Sequence, residues 1–299
     1  MKALFMNRRM AQKGKPTLIT TKSLAGTAGM PRAPRVFMLR NAGGMTVTIS
    51  ERDASVASWR APDRYGRMAN VLHGEGEGSG TVNLQPARWR GFQADGVVTL
   101  LAQGIAIDLQ VHYRLSDDGC LIVDYDAMAG FPVPLKPKAA PCFNLSGCHQ
   151  DIGDHMLQID SDYFEETGAD GAACGIAAVG GTPFDFRQPA AIGPRLRWPD
   201  ARLEIDRGFD HCFFVRNHVH GGQGMLREVA RVFDPPSGRC LQVSSTEAAI
   251  RFSSGLRSRA FCLESHARPG IIKESWPHVI LQPGQMYRQT SAYRLSLQE

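Results

Sequence analysis

The 299-residue sequence lacks the features that place a chain in a membrane or a secretory pathway. It has no run approaching the roughly 20 apolar residues that a helix needs to span a bilayer. Its first residues contain no apolar core long enough for a secretory signal. The seven cysteines are odd in number and include no CxxC pair, which does not suit a disulfide framework or a zinc ribbon. These absences predict a cytoplasmic protein, with no membrane partner, whose cysteines are reduced and mostly buried.

Common cofactor and hydrolase motifs are missing as well. The sequence contains no GxSxG elbow, no Walker lysine and no HExxH pair. The glycine-rich segment 74–80 has two glutamates that would repel a phosphate, and no helical pattern follows it. His218 and His220 share one face of a strand pattern, but no third ligand lies nearby in sequence, and zinc needs three or four. We therefore predict neither a cofactor nor a metal.

The formal charge of +5 is unevenly distributed. Residues 1–35 hold eight Lys/Arg and no acid, so the rest has 34 − 8 = 26 basic and 29 acidic residues, a net charge of −3. Glycine and proline interrupt every regular pattern in 1–35, which predicts a flexible basic leader. A transit-like segment and a basic arm for an anionic partner are the alternatives. Since Phe5 alone interleaves with these charges, we expect no nucleic-acid partner.

Beyond the leader, polarity alternates with a period of two, which is typical of half-buried β-strands. Segment 105–113 alternates in this way, and so does segment 121–127. Between them, Asp117-Asp118-Gly119 predicts a hairpin turn, because glycine tolerates positive φ. No amphipathic pattern of helical length is visible, and glycine (31) and proline (18) are plentiful. The sequence therefore predicts an all-β fold, a sandwich or barrel, as a single domain over 36–299.

Several ordered blocks then carry a family resemblance. The N-terminal block is Ala61-Pro-Asp-Arg-Tyr-Gly-Arg67. The later blocks are Phe143-Asn-Leu-Ser-Gly147, Val179-Gly-Gly-Thr-Pro-Phe-Asp-Phe-Arg187, Gly208-Phe-Asp-His211, Thr246-Glu247, Cys262-Leu-Glu264 and Leu281-Gln-Pro-Gly-Gln-Met-Tyr287. Together they strongly resemble the aldose 1-epimerase (galactose mutarotase) family over about residues 36–296. The resemblance implies a large antiparallel β-sandwich, a supersandwich, with a sugar cleft on its concave face.

Exchange of sugar anomers needs two proton transfers. A base takes the proton of the anomeric hydroxyl while an acid protonates the ring oxygen, and each positioned group contributes about 10²–10⁴-fold. The resemblance implies that Glu264 is the base and that Asp210 binds sugar hydroxyls. Asn144 and Phe143 match the strand that carries the family's acid and are candidate substrate-binding residues, with roles in the core and the strand ladder as the alternative for both.

The sequence departs from the family pattern at the acid. Ala140 stands where the family has its acid histidine, and alanine cannot donate a proton. An active enzyme would need a relocated acid, and His149 and His211 are the nearest histidines in the matched blocks.

A second departure concerns the sugar-binding segment. The family's sugar-binding arginine and histidine belong between about residues 74 and 88, where this chain is too short for them. Compressed versions of both motifs over 65–74 would instead make Arg67 and His73 the sugar ligands. We prefer the alignment of 61–67 with the family's PDR-x-G segment, since it needs no gap.

Three functions are compatible with this pattern. The first is an aldose 1-epimerase-like isomerase that uses Glu264 and a relocated acid. The second is an enzyme of the same fold that transfers protons or opens rings on a different substrate, including a non-sugar hemiacetal. The third is a carbohydrate-binding relative without turnover, which the retention of Glu264 disfavours. In each case we expect a small-molecule partner, a sugar or cyclic hemiacetal, and a monomer or homodimer.

Overall fold

The computed structural model describes residues 33–73, 88–103, 107–134, 141–147, 150–168, 173–216, 224–254, 259–266 and 280–298. Strands dominate these residues, and the two helices are short. The strands are β1 (Val36–Arg40), β2 (Thr46–Ser50), β3 (Ser55–Pro62), β4 (Met68–Asn70), β5 (Trp89–Ala94), β6 (Val97–Gln103), β7 (Ile107–Leu115), β8 (Cys120–Ala129), β9 (Val133–Pro134), β10 (Cys142–Phe143), β11 (Met156–Ile159), β12 (Ser161–Thr167), β13 (Ala173–Ala178), β14 (Ala190–Ala191), β15 (Asp210–Val215), β16 (Arg227–Phe233), β17 (Arg239–Ser245), β18 (Ala249–Ser253), β19 (Phe261–His266), β20 (Ile280–Leu281) and β21 (Met286–Leu297), and the helices are α1 (Ile192–Leu196) and α2 (Ala201–Asp206).

Two large antiparallel sheets organise the described chain. The larger has nine strands in the order β14-β11-β16-β17-β21-β8-β7-β6-β5, and the smaller has six in the order β10-β19-β18-β15-β12-β13. A four-stranded sheet, β1-β2-β3-β4, and a two-stranded sheet, β20-β9, accompany them. The predicted all-β class and large antiparallel sandwich are confirmed.

The hairpin of β7 and β8 shows how local sequence produces this architecture. Gly119 in its turn has φ +75°, the conformation for which glycine was expected there. Every second residue of each strand lies in the core, and the residues between them are more exposed. In the segments whose alternation was predicted, 105–113 and 121–127, the buried residues are Ile107, Leu109, Val111, Tyr113, Leu121, Val123, Tyr125 and Ala127.

The core lies where the inner faces of the two large sheets meet. The Tyr293 hydroxyl of β21 reaches the Leu263 carbonyl of β19 at 3.5 Å, and the hydroxyls of Ser265 and Ser291 lie 3.0 Å apart. Phe143 packs here, fully buried. Burying a side chain of this size contributes roughly 1.5–3 kcal/mol. This packing fixes which face of the six-stranded sheet points inward.

The structure corrects the prediction that the cysteines are all reduced. Cys142 of β10 and Cys262 of β19 are partners in the strand register and form a disulfide, with their Cα atoms 4.4 Å apart. The two cysteines are separated by 120 residues in sequence, so no local spacing pattern indicates this disulfide. The other described cysteines are thiols, and they are Cys120, Cys212 and Cys240, which are buried, and Cys174, which is exposed.

Two sequence predictions concern the chain as a whole. Residues 34–299 form one compact unit. The proposed leader, 1–35, lies almost entirely outside the described residues and stays a prediction. Within the described ranges, no helix is long and apolar enough to cross a membrane.

Candidate functional site

The side chains of interest project from the face of the six-stranded sheet that points away from the core. On β19, the buried residues Phe261, Leu263 and Ser265 alternate with three partly buried ones. Because successive strand residues point to opposite sides, these three share the other face. We call this side of the sheet the site face, and it presents Cys262, Glu264 and His266 of β19 together with Arg251 of β18 and Asp210 and Cys212 of β15.

Strand register brings Arg251 and Glu264 together. Arg251 is the direct partner of Glu264 across β18 and β19, and Cys212 is its partner on the other side. Directly opposed residues have Cβ atoms about 4.5–5.5 Å apart. A guanidinium therefore lies beside the residue that the resemblance identifies as the base.

Arg251 also binds the second predicted residue of the site, Asp210. Its Nε donates to Oδ1 of Asp210 at 2.6 Å and its Nη2 donates to Oδ2 at 2.5 Å. This bidentate geometry holds the carboxylate in one orientation. The hydrogen bonds to Asp210 raise the pKa of Arg251, burial opposes this, and the charges of Asp210 and Glu264 raise it further. Arg251 thus interacts favourably with both carboxylates of the site face.

A glycine determines how the chain enters β15 at Asp210. Gly208 has φ +133°, and a Cβ atom at this position would lie 2.6 Å from Oγ of Ser254. That hydroxyl accepts a hydrogen bond from the Phe209 amide at 3.0 Å. Glycine adopts this positive φ without strain and leaves room for the Ser254 side chain, so the Gly208-Phe-Asp block serves to position Asp210.

His211 lies next to Asp210 in sequence but on the opposite face. Its side chain is buried in the core, with its ring 4.5 Å from that of Phe184. Nδ1 accepts the Asp210 amide at 3.1 Å, and Nε2 lies 3.4 Å from the Asp206 carboxylate. Burial lowers the pKa of His211 to about 4. The fold therefore does not bring this proposed acid to the site face, and burial keeps it neutral near pH 7.

Phe143 and Asn144 take the structural roles that were their alternatives. Phe143 is fully buried, with its ring 5.8 Å from that of Phe261. Asn144 is also buried, and its amide nitrogen donates to the carbonyls of Gln150 and Arg259 at 2.7 and 2.8 Å. Its side-chain oxygen accepts from Ser146. The side-chain nitrogen and oxygen of Asn144 are therefore both used in hydrogen bonds that hold neighbouring loops together.

Arg67 and His73 are placed differently from each other. The Arg67 guanidinium is largely exposed and pairs with Asp63 at 2.8 Å, next to the Tyr65 ring. No described contact joins it to the site face. His73 lies at the edge of the six-stranded sheet, where its amide donates to the Cys142 carbonyl at 3.0 Å. The third histidine prediction, His149, falls outside the described residues.

Two residues of the site face were missed from the sequence. They are Arg251 and His266. Pairing of β18 with β19 places Arg251 opposite Glu264, and alternation along β19 places His266 on the same face as Glu264. The Glu264-Ser-His266 spacing was a usable signal for the second, since i and i+2 share a strand face. Arg251 belongs to another strand, so only the pairing of β18 with β19 reveals it. Among the described residues, no group of three or more His, Cys, Asp and Glu side chains could hold a metal ion.

The fold places the chain in the class of large antiparallel β-sandwiches. The family model for aldose 1-epimerase matches residues 100–294, and the chain belongs to that family. Galactose mutarotase from Bos taurus is 32% identical over 205 residues, which cover 62% of this chain and 57% of that protein. Aldose 1-epimerase from Escherichia coli (strain K12) is 29% identical over 335 residues, covering 87% and 94%.

Solved structures show the same fold at lower identity. Galactose 1-epimerase from Lactobacillus acidophilus NCFM superposes with a TM-score of 0.74 at 16% identity, over 92% of this chain and 98% of that one. The GalM/aldose epimerase homologue from C. elegans gives a TM-score of 0.72 at 17% identity, over 89% and 100%. The match to the bovine mutarotase spans less than two thirds of that protein's length.

Proposed function

We propose that this chain is an aldose 1-epimerase that interconverts the α and β anomers of a free aldose, with Glu264 as the general base. The observation that carries the proposal is the row of charged groups on the site face. Arg251 is the register partner of Glu264 and binds Asp210 through both carboxylate oxygens. Family membership supplies the reaction type, and this row supplies groups suited to it.

In the proposed reaction, the Glu264 carboxylate removes the proton of the anomeric hydroxyl at O1. An acid protonates the ring oxygen, the bond from C1 to that oxygen breaks, and an open-chain aldehyde forms. Rotation about C1–C2 followed by ring closure, with both proton transfers reversed, produces the other anomer. Each positioned proton-transfer group typically contributes about 10²–10⁴-fold.

Arg251 suits this chemistry in two ways. Its positive charge opposite Glu264 favours the ionised carboxylate, the form that a base requires. Its two hydrogen bonds fix Asp210, whose oxygens can each accept a further hydrogen bond from a sugar hydroxyl. We propose that Asp210 orients the pyranose so that its anomeric hydroxyl faces Glu264.

Polarimetry tests this proposal. Fresh α-D-galactose and α-D-glucose are followed with wild-type protein, with Glu264→Gln, and with Glu228→Gln as the matched control. Glu228 is a half-exposed glutamate on β16 of the other large sheet, paired with Arg231. We expect Glu264→Gln to lower kcat by roughly 100-fold or more and the control to keep wild-type rates.

The remaining outcomes separate the alternatives. Full activity in Glu264→Gln would refute the assigned base. A wild-type rate equal to the buffer blank, with sugar binding seen by calorimetry, would favour a binding protein without turnover. A wild-type rate equal to the buffer blank, with no sugar binding, would favour a divergent enzyme that acts on another hemiacetal. Ala140 at the position of the family's acid supports that alternative.

A further inference from the structure

An epimerase of this kind needs an acid, and the described histidines are the natural place to look for one near neutral pH. Three of the five lie away from the site face. His112 is on the outer face of the nine-stranded sheet, bonded to Thr99 at 3.0 Å. His155 is buried, and its Nε2 accepts the Leu145 amide. His211 lies in the core. The other two described histidines are His73 and His266.

Strand geometry distinguishes these two. His266 follows Glu264 by two residues on β19, so their Cα atoms are about 6.6 Å apart and their side chains leave the same face. His73 lies beyond β10, which separates it from β19, so it is roughly two strand spacings, about 10 Å, from that strand. Both histidines are partly buried. His266 is therefore the described histidine that lies closest to Glu264 along the site face.

We propose that His266 is the relocated general acid of this site. The proposal rests on the epimerase function proposed above. O1 and the ring oxygen are both bonded to C1, so one base and one acid on neighbouring positions can reach them together. Glu264 takes the O1 proton as the His266 imidazolium gives its proton to the ring oxygen. The bond between C1 and the ring oxygen breaks and its electrons stay on that oxygen, while C1=O1 forms. Closure runs the same transfers backwards.

The charges around His266 suit this role. Glu264 is its neighbour on β19 and favours the imidazolium form. Charged groups on other elements also interact with this row, and they are Arg251 of β18, Asp210 of β15, Glu165 of β12 and Asp206 at the end of α2. Arg251 is bound to Asp210 by two hydrogen bonds and is also the register partner of Glu264, so its positive charge acts on both carboxylates. The negative charge of Glu264, two residues away on the same strand face, is the interaction that stabilises a His266 imidazolium in this proposal.

The kinetic test compares three histidine variants in the full chain by polarimetry over a range of pH. We expect His266→Gln to lower kcat by roughly 100-fold, with little change in KM, and to lose the alkaline limb of the wild-type pH profile. Added imidazole is expected to restore part of the rate. His112→Gln is the matched control, because this partly exposed histidine lies on the other large sheet, and it should keep wild-type kinetics.

A second readout does not depend on turnover. With isotope-labelled histidine, the NMR signal that disappears in His266→Gln should shift when α-D-galactose is added. Its titration midpoint should fall in Glu264→Gln, because a neighbouring negative charge is removed. Wild-type activity in His266→Gln, or loss of the alkaline limb in His73→Gln instead, would overturn the assignment while leaving the epimerase proposal intact. A wild-type protein inert toward aldoses would overturn both.

Discussion

Arg239 is a buried cation whose removal should destabilise the fold strongly. Its guanidinium is only 2% exposed and donates to four backbone carbonyls at 2.7–3.3 Å, those of Ala61, Pro62, Arg67 and Leu145. These bonds join β17 to the turn after β3 and to the loop after β10. Burial lowers the pKa of Arg239, but nearby carboxylates oppose this.

The expected cost of Arg239→Met can be worked from these contacts. Methionine retains much of the packing volume but removes one donor from each of the four carbonyls. The Leu145 carbonyl still accepts from Ser237 Oγ and the Arg67 carbonyl from the Asp63 amide. Each buried group that is left unsatisfied costs about 1–3 kcal/mol. Asp63 and Asp234, both buried, also lose the cation that faces them. Removing one member of a buried charged cluster costs about 3–5 kcal/mol. With partial relaxation of the loops, we expect the free energy of unfolding to fall by about 4 kcal/mol.

Guanidinium chloride unfolding, followed by the fluorescence of the buried Trp59, measures this loss. Arg231→Met is the matched control, because Arg231 is a half-exposed arginine on the adjacent strand that pairs with Glu228, and it should cost less than about 1 kcal/mol. A loss below about 1 kcal/mol in Arg239→Met would refute the reasoning that these carbonyls depend on the guanidinium.

Two further predictions concern the disulfide and the core histidine. Cys142→Ser/Cys262→Ser should lower the free energy of unfolding by about 2–4 kcal/mol, since the bond closes a long loop; identical urea midpoints for the variant and the oxidised wild type would contradict the bond. His211 is buried with its pKa lowered to about 4, so the unfolded chain binds a proton that the folded chain does not. Stability should therefore fall as pH drops from about 6.5 towards 4. This loss should be smaller in His211→Asn, and an unchanged pH dependence of the urea midpoint would count against the assignment.

The strand pattern was readable from the sequence because one face of most strands is buried. Alternation in 105–113 and the glycine after Asp118 were enough to predict the hairpin and its core face. The same rule assigns His211 to the face opposite Asp210, so its position next to Asp210 in sequence does not bring it to the site face. Alternation along β19 likewise places His266 on the same strand face as Glu264, and the sequence alone is enough to show this.

Register between distant strands could not be read in this way. Arg251 faces Glu264 only because β18 and β19 pair as they do, and it binds Asp210 only because β15 lies on its other side. The disulfide depends on the pairing of β10 with β19, which joins cysteines 120 residues apart. Local propensity carries no information about such pairings.

The sequence by itself determined the all-β class, the family blocks, and the faces of individual strands, since each follows from neighbouring residues and the two-residue period of a strand. Only the tertiary structure decided which charges meet. It placed Arg251 between the sequence-predicted Asp210 and Glu264, since hydrogen-bonded strand pairs fix cross-strand neighbours. It also assigned Phe143 and Asn144 to the interior, where packing between the sheets and loop hydrogen bonds occupy them.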